Sequence, residues 1–204
     1  MSENFQNSLD ELIKEISAGG RKSRLLLHSC CGPCSSYCLD YLKDYFKITV
    51  FYYNPNIYPE SEHDLRLSEQ ERLIREMNSS LVDEDKIALI SPAYDHEEFL
   101  KAARGLEGEK EGGARCGRCF ELRLSKTAAA AREKGFDFFG TTLTVSPHKN
   151  AVLINAIGRD IGAEMWLPSD FKKKDGYKKS IELSKAHNLY RQNYCGCEFS
   201  MRQN

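Results

Sequence analysis

The sequence predicts an α/β fold, a mostly parallel sheet with flanking helices and cysteine-rich loops at the strand carboxyl ends. Three observations lead there. Short apolar runs of strand character alternate with longer segments of helical period. Turn signals at Gly19-Gly20, Asn54-Pro55-Asn56 and Ser91-Pro92 punctuate them. The first strand-like run passes directly into Ser29-Cys30-Cys31-Gly32-Pro33-Cys34, in the kind of strand-to-helix loop where an α/β sheet gathers its working residues. With 204 residues the chain is expected to form one domain over 1–204, its C-terminal part 165–204 packing on the rest and closing the site.

The elements follow in order. Leu9, Leu12, Ile13 and Ile16 have the spacing of an amphipathic helix that ends at Gly19-Gly20. Arg24 to His28 reads as a buried strand, and Pro33 suits the first turn of a helix carrying Tyr37, Cys38, Tyr41, Leu42 and Tyr45. Ile48 to Tyr53 is a second strand, Glu60 to Met77 a helix with one solvated face, and Ile87 to Ile90 a third strand. A loop rich in glycine and charge, Gly105 to Ala114, leads to Cys116; Phe120, Leu124, Ala128 and Ala131 then form one stripe of a helix. Phe138 to Leu143 is a further strand. Ser146-Pro147 reads as the cap and first turn of a helix carrying Leu153, Ala156, Ile157 and Ile161, which puts Lys149 just inside that helix. A short strand, Glu164 to Leu167, precedes a lysine-rich loop, a helix near Tyr177 to Tyr190, and a cysteine-containing tail.

The formal net charge of −1 names no partner, but the distribution is uneven. Asn54 to Glu98 holds 12 acidic and 4 basic residues, a net of −8, whereas Met165 to Asn204 holds 4 acidic and 8 basic, a net of +4. The first twenty residues lack the apolar run of a signal peptide, and no stretch approaches a membrane span. The expectation is a cytoplasmic protein without membrane contact. In that reducing setting cysteines serve metal or redox chemistry rather than disulfides.

Seven of the eight cysteines fall into three tight groups: Cys30-Cys31-x-x-Cys34, Cys116-x-x-Cys119 and Cys195-x-Cys197. Each spacing lets two thiolates of one turn face a common metal. Arg115 and Arg118 sit where they would help hold such thiols deprotonated. Cys38 reads as a small buried hydrophobe. One structural zinc takes four ligands and would leave three thiols over; two zinc sites would take all seven plus a histidine or carboxylate. An iron–sulfur cluster with one open iron takes three and a tetrahedral single iron takes four, which uses the seven without remainder. The loop after the first strand has neither G-x-G-x-x-G nor G-x-x-x-x-G-K-[ST], so nucleotide binding is not supported.

Taken together, His28-Ser29-Cys30-Cys31-Gly32-Pro33-Cys34, Tyr53-Asn54-Pro55-Asn56-Ile57, Arg115-Cys116-x-x-Cys119-Phe120, Thr141-Thr142-Leu143-x-x-Ser146-Pro147-x-Lys149 and Tyr194-Cys195-Gly196-Cys197 resemble the cobalamin-independent epoxyqueuosine reductases over nearly the whole chain. The resemblance implies a Rossmann-like fold similar to the adenine nucleotide hydrolase type. It also implies two-electron deoxygenation of epoxyqueuosine to queuosine in the anticodon stem-loop of a tRNA, with an external electron donor. The expected cofactors are a [4Fe–4S] cluster and an additional mononuclear iron held by Cys30, Cys31, Cys34, Cys116, Cys119, Cys195 and Cys197. Asp95 is the first candidate and Asp170 the second for a completing carboxylate; Asp95 or His28 would protonate the leaving oxygen, and Lys149 and Asn54 would bind substrate. Lys172, Lys173, Lys174, Lys178, Lys179, Lys185 and Arg191, interleaved with Phe171, Tyr177 and Tyr190, form the candidate tRNA face. Two other readings stand beside this one: an iron–sulfur tRNA sulfur-transferase, which would need the absent phosphate loop, and a zinc-stabilised RNA-binding module without catalysis.

Overall fold

The computed structural model describes residues 4–201. Its elements are α1 (Phe5–Ser17), β1 (Ser23–His28), α2 (Gly32–Leu42), β2 (Phe46–Phe51), α3 (Glu60–Asn78), β3 (Ala88–Ile90), α4 (His96–Ala103), α5 (Ala114–Glu133), β4 (Phe138–Thr141), α6 (Ala151–Gly162), α7 (Gly176–Ala186) and the short α8 (Glu198–Met201). The four strands form one parallel sheet in the order β3-β2-β1-β4. The α/β class expected from the alternating pattern is therefore the one observed.

β1 shows why its sequence is apolar without alternation. Leu25 and Leu27 face a core shared with Leu9 of α1, Leu39 of α2 and Leu73 of α3, while Leu26 faces Leu124 of α5, Phe139 of β4 and Ile154 of α6. A strand covered by helices on both faces has no polar side to show. The order of strand addition reverses at β1: β2 and β3 are laid down on one side of it and β4 on the other, all pointing the same way. Ligands of open α/β sheets sit at such a switch point, beyond the carboxyl ends of the strands. His28 and Thr141, paired in register, mark that edge.

Several boundaries differ from the sequence reading. Ser146-Pro147 starts no helix: a 3-10 turn over Thr142–Val145 comes first, and α6 begins at Ala151 with Asn150 as its cap, accepting from Leu153 N at 3.1 Å. Lys149 thus precedes the helix instead of lying inside it. α5 begins at Ala114, so Cys116 and Cys119 lie on the helix and not in the loop before it. The strand expected over Glu164 to Leu167 is reduced to a single parallel bridge, Phe139 to Trp166. α4 had no periodic signal, since only Phe99 and Ala103 of its eight residues are buried. Gly158 of α6 is required by contact, because a Cβ there would lie 2.3 Å from the Trp166 ring.

Candidate metal centre and adjoining cleft

The chain leaves β1 at His28 and turns at once into the first cysteine group. Cys31 is the residue before α2, in extended conformation, and its side chain makes no capping bond, so its sulfur is left for other use. The sulfurs of Cys30, Cys31 and Cys34 lie within 4.8 Å of one another, with Cys30 Sγ to Cys31 Sγ at 3.7 Å. The positive end of the α2 dipole lies beside them and favours thiolate. Beneath the loop, Ser29 and Ser35 donate to Gln70 Oε1 at 2.7 and 2.6 Å, which fixes its turn from α3.

The second group is assembled from distant chain. Cys116 and Cys119 stand one turn apart on α5, and Cys195 and Cys197 come from the tail; all four line one small cavity together with Asn56, Arg115, Arg123 and Lys149. Arg66 of α3 secures the tail. It donates to the carbonyl of Cys195 at 3.2 Å, lies over the Tyr194 ring at 5.1 Å, and pairs with Glu62 at 2.7 Å. Tyr58 N donates to Gly196 O at 2.8 Å. Gly196 has φ +103°, and a Cβ there would lie 2.9 Å from Arg66 Nη1, so glycine is needed twice over.

Cations thread both groups. The buried Arg123 donates to Asn54 Oδ1 at 2.6 Å and to Cys119 Sγ at 3.8 Å, and its Nε lies 3.2 Å from His28 Nε2. Lys149 Nζ donates to Cys195 Sγ at 3.3 Å and lies over the Phe120 ring. Gln192 Nε2 donates to Cys31 Sγ at 3.2 Å and the backbone N of Gly112 to Cys116 Sγ at 3.2 Å. The Cys30 thiol is held well below its ordinary range, chiefly by hydrogen bonds from Cys31 and Cys34 and, against burial, by the charges of Arg123 and Lys149. The same sharing pushes Cys31 up to about 12 and raises Cys34. One proton-poor sulfur among proton-rich neighbours is how a thiol cluster stands before metal displaces its protons. Burial lowers Lys149, but its electrostatic contacts with the Cys195 and Cys30 sulfurs outweigh it and raise the ammonium above its ordinary range.

A cleft of about 310 Å³ opens over the first group, lined by Cys30, Cys34, Cys195, Lys149, Tyr177 and Tyr194 among others. That volume falls at the lower end of small-ligand sites. Cys195 and Lys149 line both cavities and form the wall between them.

The other expected site residues are placed as follows. His28 is fully buried, with Nδ1 2.9 Å from Thr141 Oγ1, and burial together with Arg123 lowers it to about 3, leaving a neutral ring. Asn54 is buried, donating to Ser29 O at 2.8 Å and accepting from Arg123. Asp95 is exposed and caps α4, accepting from Glu97 N at 3.0 Å. Asp170 is buried and pairs with Lys172 at 2.9 Å. Phe171, expected on the candidate tRNA face, is instead buried against Tyr41 and has no surface on which to stack a base. Cys38 is wholly buried in the core, as its lone position suggested.

Arg123, Arg66 and Gln192 were not singled out from the sequence. Arg123 left one signal, its place four residues after Cys119 on a helix, which puts both on one face. Arg66 and Gln192 reach their sulfur-bearing partners only through tertiary folding, and no spacing marks them.

Fold and thiol geometry together define an α/β protein with a cysteine triad that could hold a metal beside a ligand-sized cleft. The sequence profile described as epoxyqueuosine reductase QueH matches residues 25–203. Curated proteins with that description include one from Staphylococcus epidermidis, 43% identical across 97% of this chain and 84% of the relative. Another, from Staphylococcus aureus, is 41% identical across 98% and 85%, and one from Thermotoga maritima is 35% identical across 87% and 90%. The chain belongs to the epoxyqueuosine reductase QueH family, a family of oxidoreductases. No helix among the described residues is long and apolar enough to cross a membrane.

Proposed function

We propose that this chain removes the epoxide oxygen of epoxyqueuosine in a tRNA anticodon loop, in the cytoplasm, with thiolate-bound iron as the redox centre. The observation that carries the reading is the cleft itself: two of the three clustered thiols, Cys30 and Cys34, open onto a cavity of substrate size. The donor set suits iron in kind and number: three sulfurs are gathered within 4.8 Å, and four more line one small cavity, though no three of those four approach one another so closely. Cys30, Cys31 and Cys34 would hold a [4Fe–4S] cluster beside the cleft that Cys30 and Cys34 line. Cys116, Cys119, Cys195 and Cys197 would hold the additional single iron. Bound there, iron supplies a Lewis-acid position for the epoxide oxygen and a store for incoming electrons.

The reaction balances as two electrons from an external donor and two protons taken up, both epoxide C–O bonds broken, a C=C bond formed and water released. The chain's own groups position and stabilise. Tyr177 and Tyr194 offer cleft walls for a splayed base. Lys149 keeps a positive charge at the cleft, where oxygen carries negative charge as its bonds break. His28 and Asn54 are assigned to bracing Arg123 beneath the centre, since both are spent on internal contacts. Asp95 is assigned to capping α4, and Asp170 to its pair with Lys172. For tRNA, Lys173, Lys178, Lys179, Lys185 and Arg191 stay exposed along α7 and its flanks, beside Tyr177 and Tyr190, whereas Lys174 is paired with Asp10 at 2.5 Å.

The test is anaerobic purification with iron and sulfide counting, followed by a single turnover with epoxyqueuosine-containing tRNA and dithionite. About five irons and four sulfides per chain, and a nucleoside lighter by one oxygen, are expected. Zinc without sulfide under iron-replete expression would overturn the reading in favour of a structural zinc module.

A further inference from the structure

Arg123 is a fixed charge whose partners are unusual. Its side chain is 1% exposed, in the interior of α5. It donates to an amide oxygen, Asn54 Oδ1, at 2.6 Å, meets a neutral imidazole, His28, at 3.2 Å, and reaches a sulfur, Cys119 Sγ, at 3.8 Å. None of the three is a carboxylate. A buried guanidinium without an anion is costly, so its counter-charge must come from elsewhere. The groups around it that can carry negative charge are cysteine sulfurs: the guanidinium reaches Cys119 Sγ and lines one cavity with Cys116, Cys119, Cys195 and Cys197. His28 and Asn54 stand at the carboxyl ends of β1 and β2, so the sheet fixes the guanidinium plane while α5 fixes its stem.

We propose that Arg123 is a positioning residue whose buried positive charge, shared between the two thiol groups, makes the metal centre easier to reduce. The inference rests on the iron reading above and adds what sets the poise of that iron. Seven thiolates around iron leave excess negative charge, and each added electron increases it. A fixed cation touching Cys119, electrostatically coupled to Cys30 and Cys195, offsets that increase most in the reduced state, and burial keeps water from screening it. Arginine suits the place because one planar fork reaches amide, imidazole and sulfur at once.

The experiment is a dithionite titration of the anaerobic, iron-loaded protein, followed by visible absorbance and electron paramagnetic resonance, for wild type, Arg123→Lys and Arg123→Gln. At a fixed applied potential Arg123→Gln is expected to raise the oxidised-to-reduced ratio at least about tenfold, a shift of about 59 mV to more negative potential for a one-electron couple. Arg123→Lys keeps the charge and is expected to stay within about threefold of wild type on the same scale. A full iron complement in Arg123→Gln with an unchanged ratio overturns the proposal, as does an Arg123→Lys shift equal to that of Arg123→Gln. Should Arg123→Gln fold without iron, Asn54→Asp takes its place: it sets a carboxylate against Nη2 of Arg123, at the cost of the bond to Ser29 O, and the same negative shift is expected. An unchanged ratio there is equally fatal. Failure of wild type to hold iron sinks the reading of function itself, so the two failures are told apart by the iron count.

Discussion

The two thiol groups are built in opposite ways. Cys30, Cys31 and Cys34 lie in one strand-to-helix turn, and β1 and α2 bring their sulfurs within 4.8 Å by local geometry alone. Cys116 and Cys119 must wait for a tail some eighty residues downstream, which Arg66, Tyr58 and Lys149 hold in place. The first group is as stable as the sheet edge that carries it. The second is as stable as its clasp, and local opening of a segment held by a few contacts costs less than global unfolding.

The contrast can be broken most sharply at Arg66. Arg66→Ala leaves Glu62 without its buried partner and frees Tyr194 and Cys195, and is expected to cost about 3–5 kcal/mol in urea unfolding. Its signature is unequal: iron is lost from the assembled group first, seen as about one iron missing per chain with sulfide retained. Paired ligand variants come next. Cys31→Ala should remove sulfide together with iron, whereas Cys197→Ala should spare sulfide, each lowering turnover at least about 100-fold. Gly196→Ala tests the clasp more gently. Its positive φ and the crowding by Arg66 and Ile57 predict a loss of about 1–3 kcal/mol, read by thermal unfolding, with the triad unaffected. Asp95→Ala touches neither group: it should cost about 1 kcal/mol of stability through the lost cap and leave turnover within about threefold. A large loss of turnover there would return Asp95 to the chemistry.

Legibility in the sequence follows the same division. Elements whose burial is two-sided or periodic, such as β1 and α5, announce themselves because their apolar pattern is the record of the faces they bury. The cysteine groups were readable because thiols at short spacing have few other uses in a chain of this class. α4 was invisible because two buried residues make no period, and α6 was placed too early because Ser146-Pro147 carries the letters of a cap while Asn150 performs it. Arg123 and Gln192 were out of reach for a deeper reason. Their significance lies in what folding places beside them, and arginine four residues after a cysteine is commonplace on any helix.

One property of the sulfurs bears on how such a centre comes to be filled. Cys34 in the first group, and Cys116 and Cys195 in the second, are only half-buried, while Cys30, Cys31, Cys119 and Cys197 are buried. Every group therefore keeps at least one cysteine that is not fully enclosed after the chain has folded. An incoming metal carrier can hand over its cargo to that outer thiol by ligand exchange, and the inner ones then draw it down. Loading of such a centre would then be a late event, performed on a finished scaffold and not coupled to refolding.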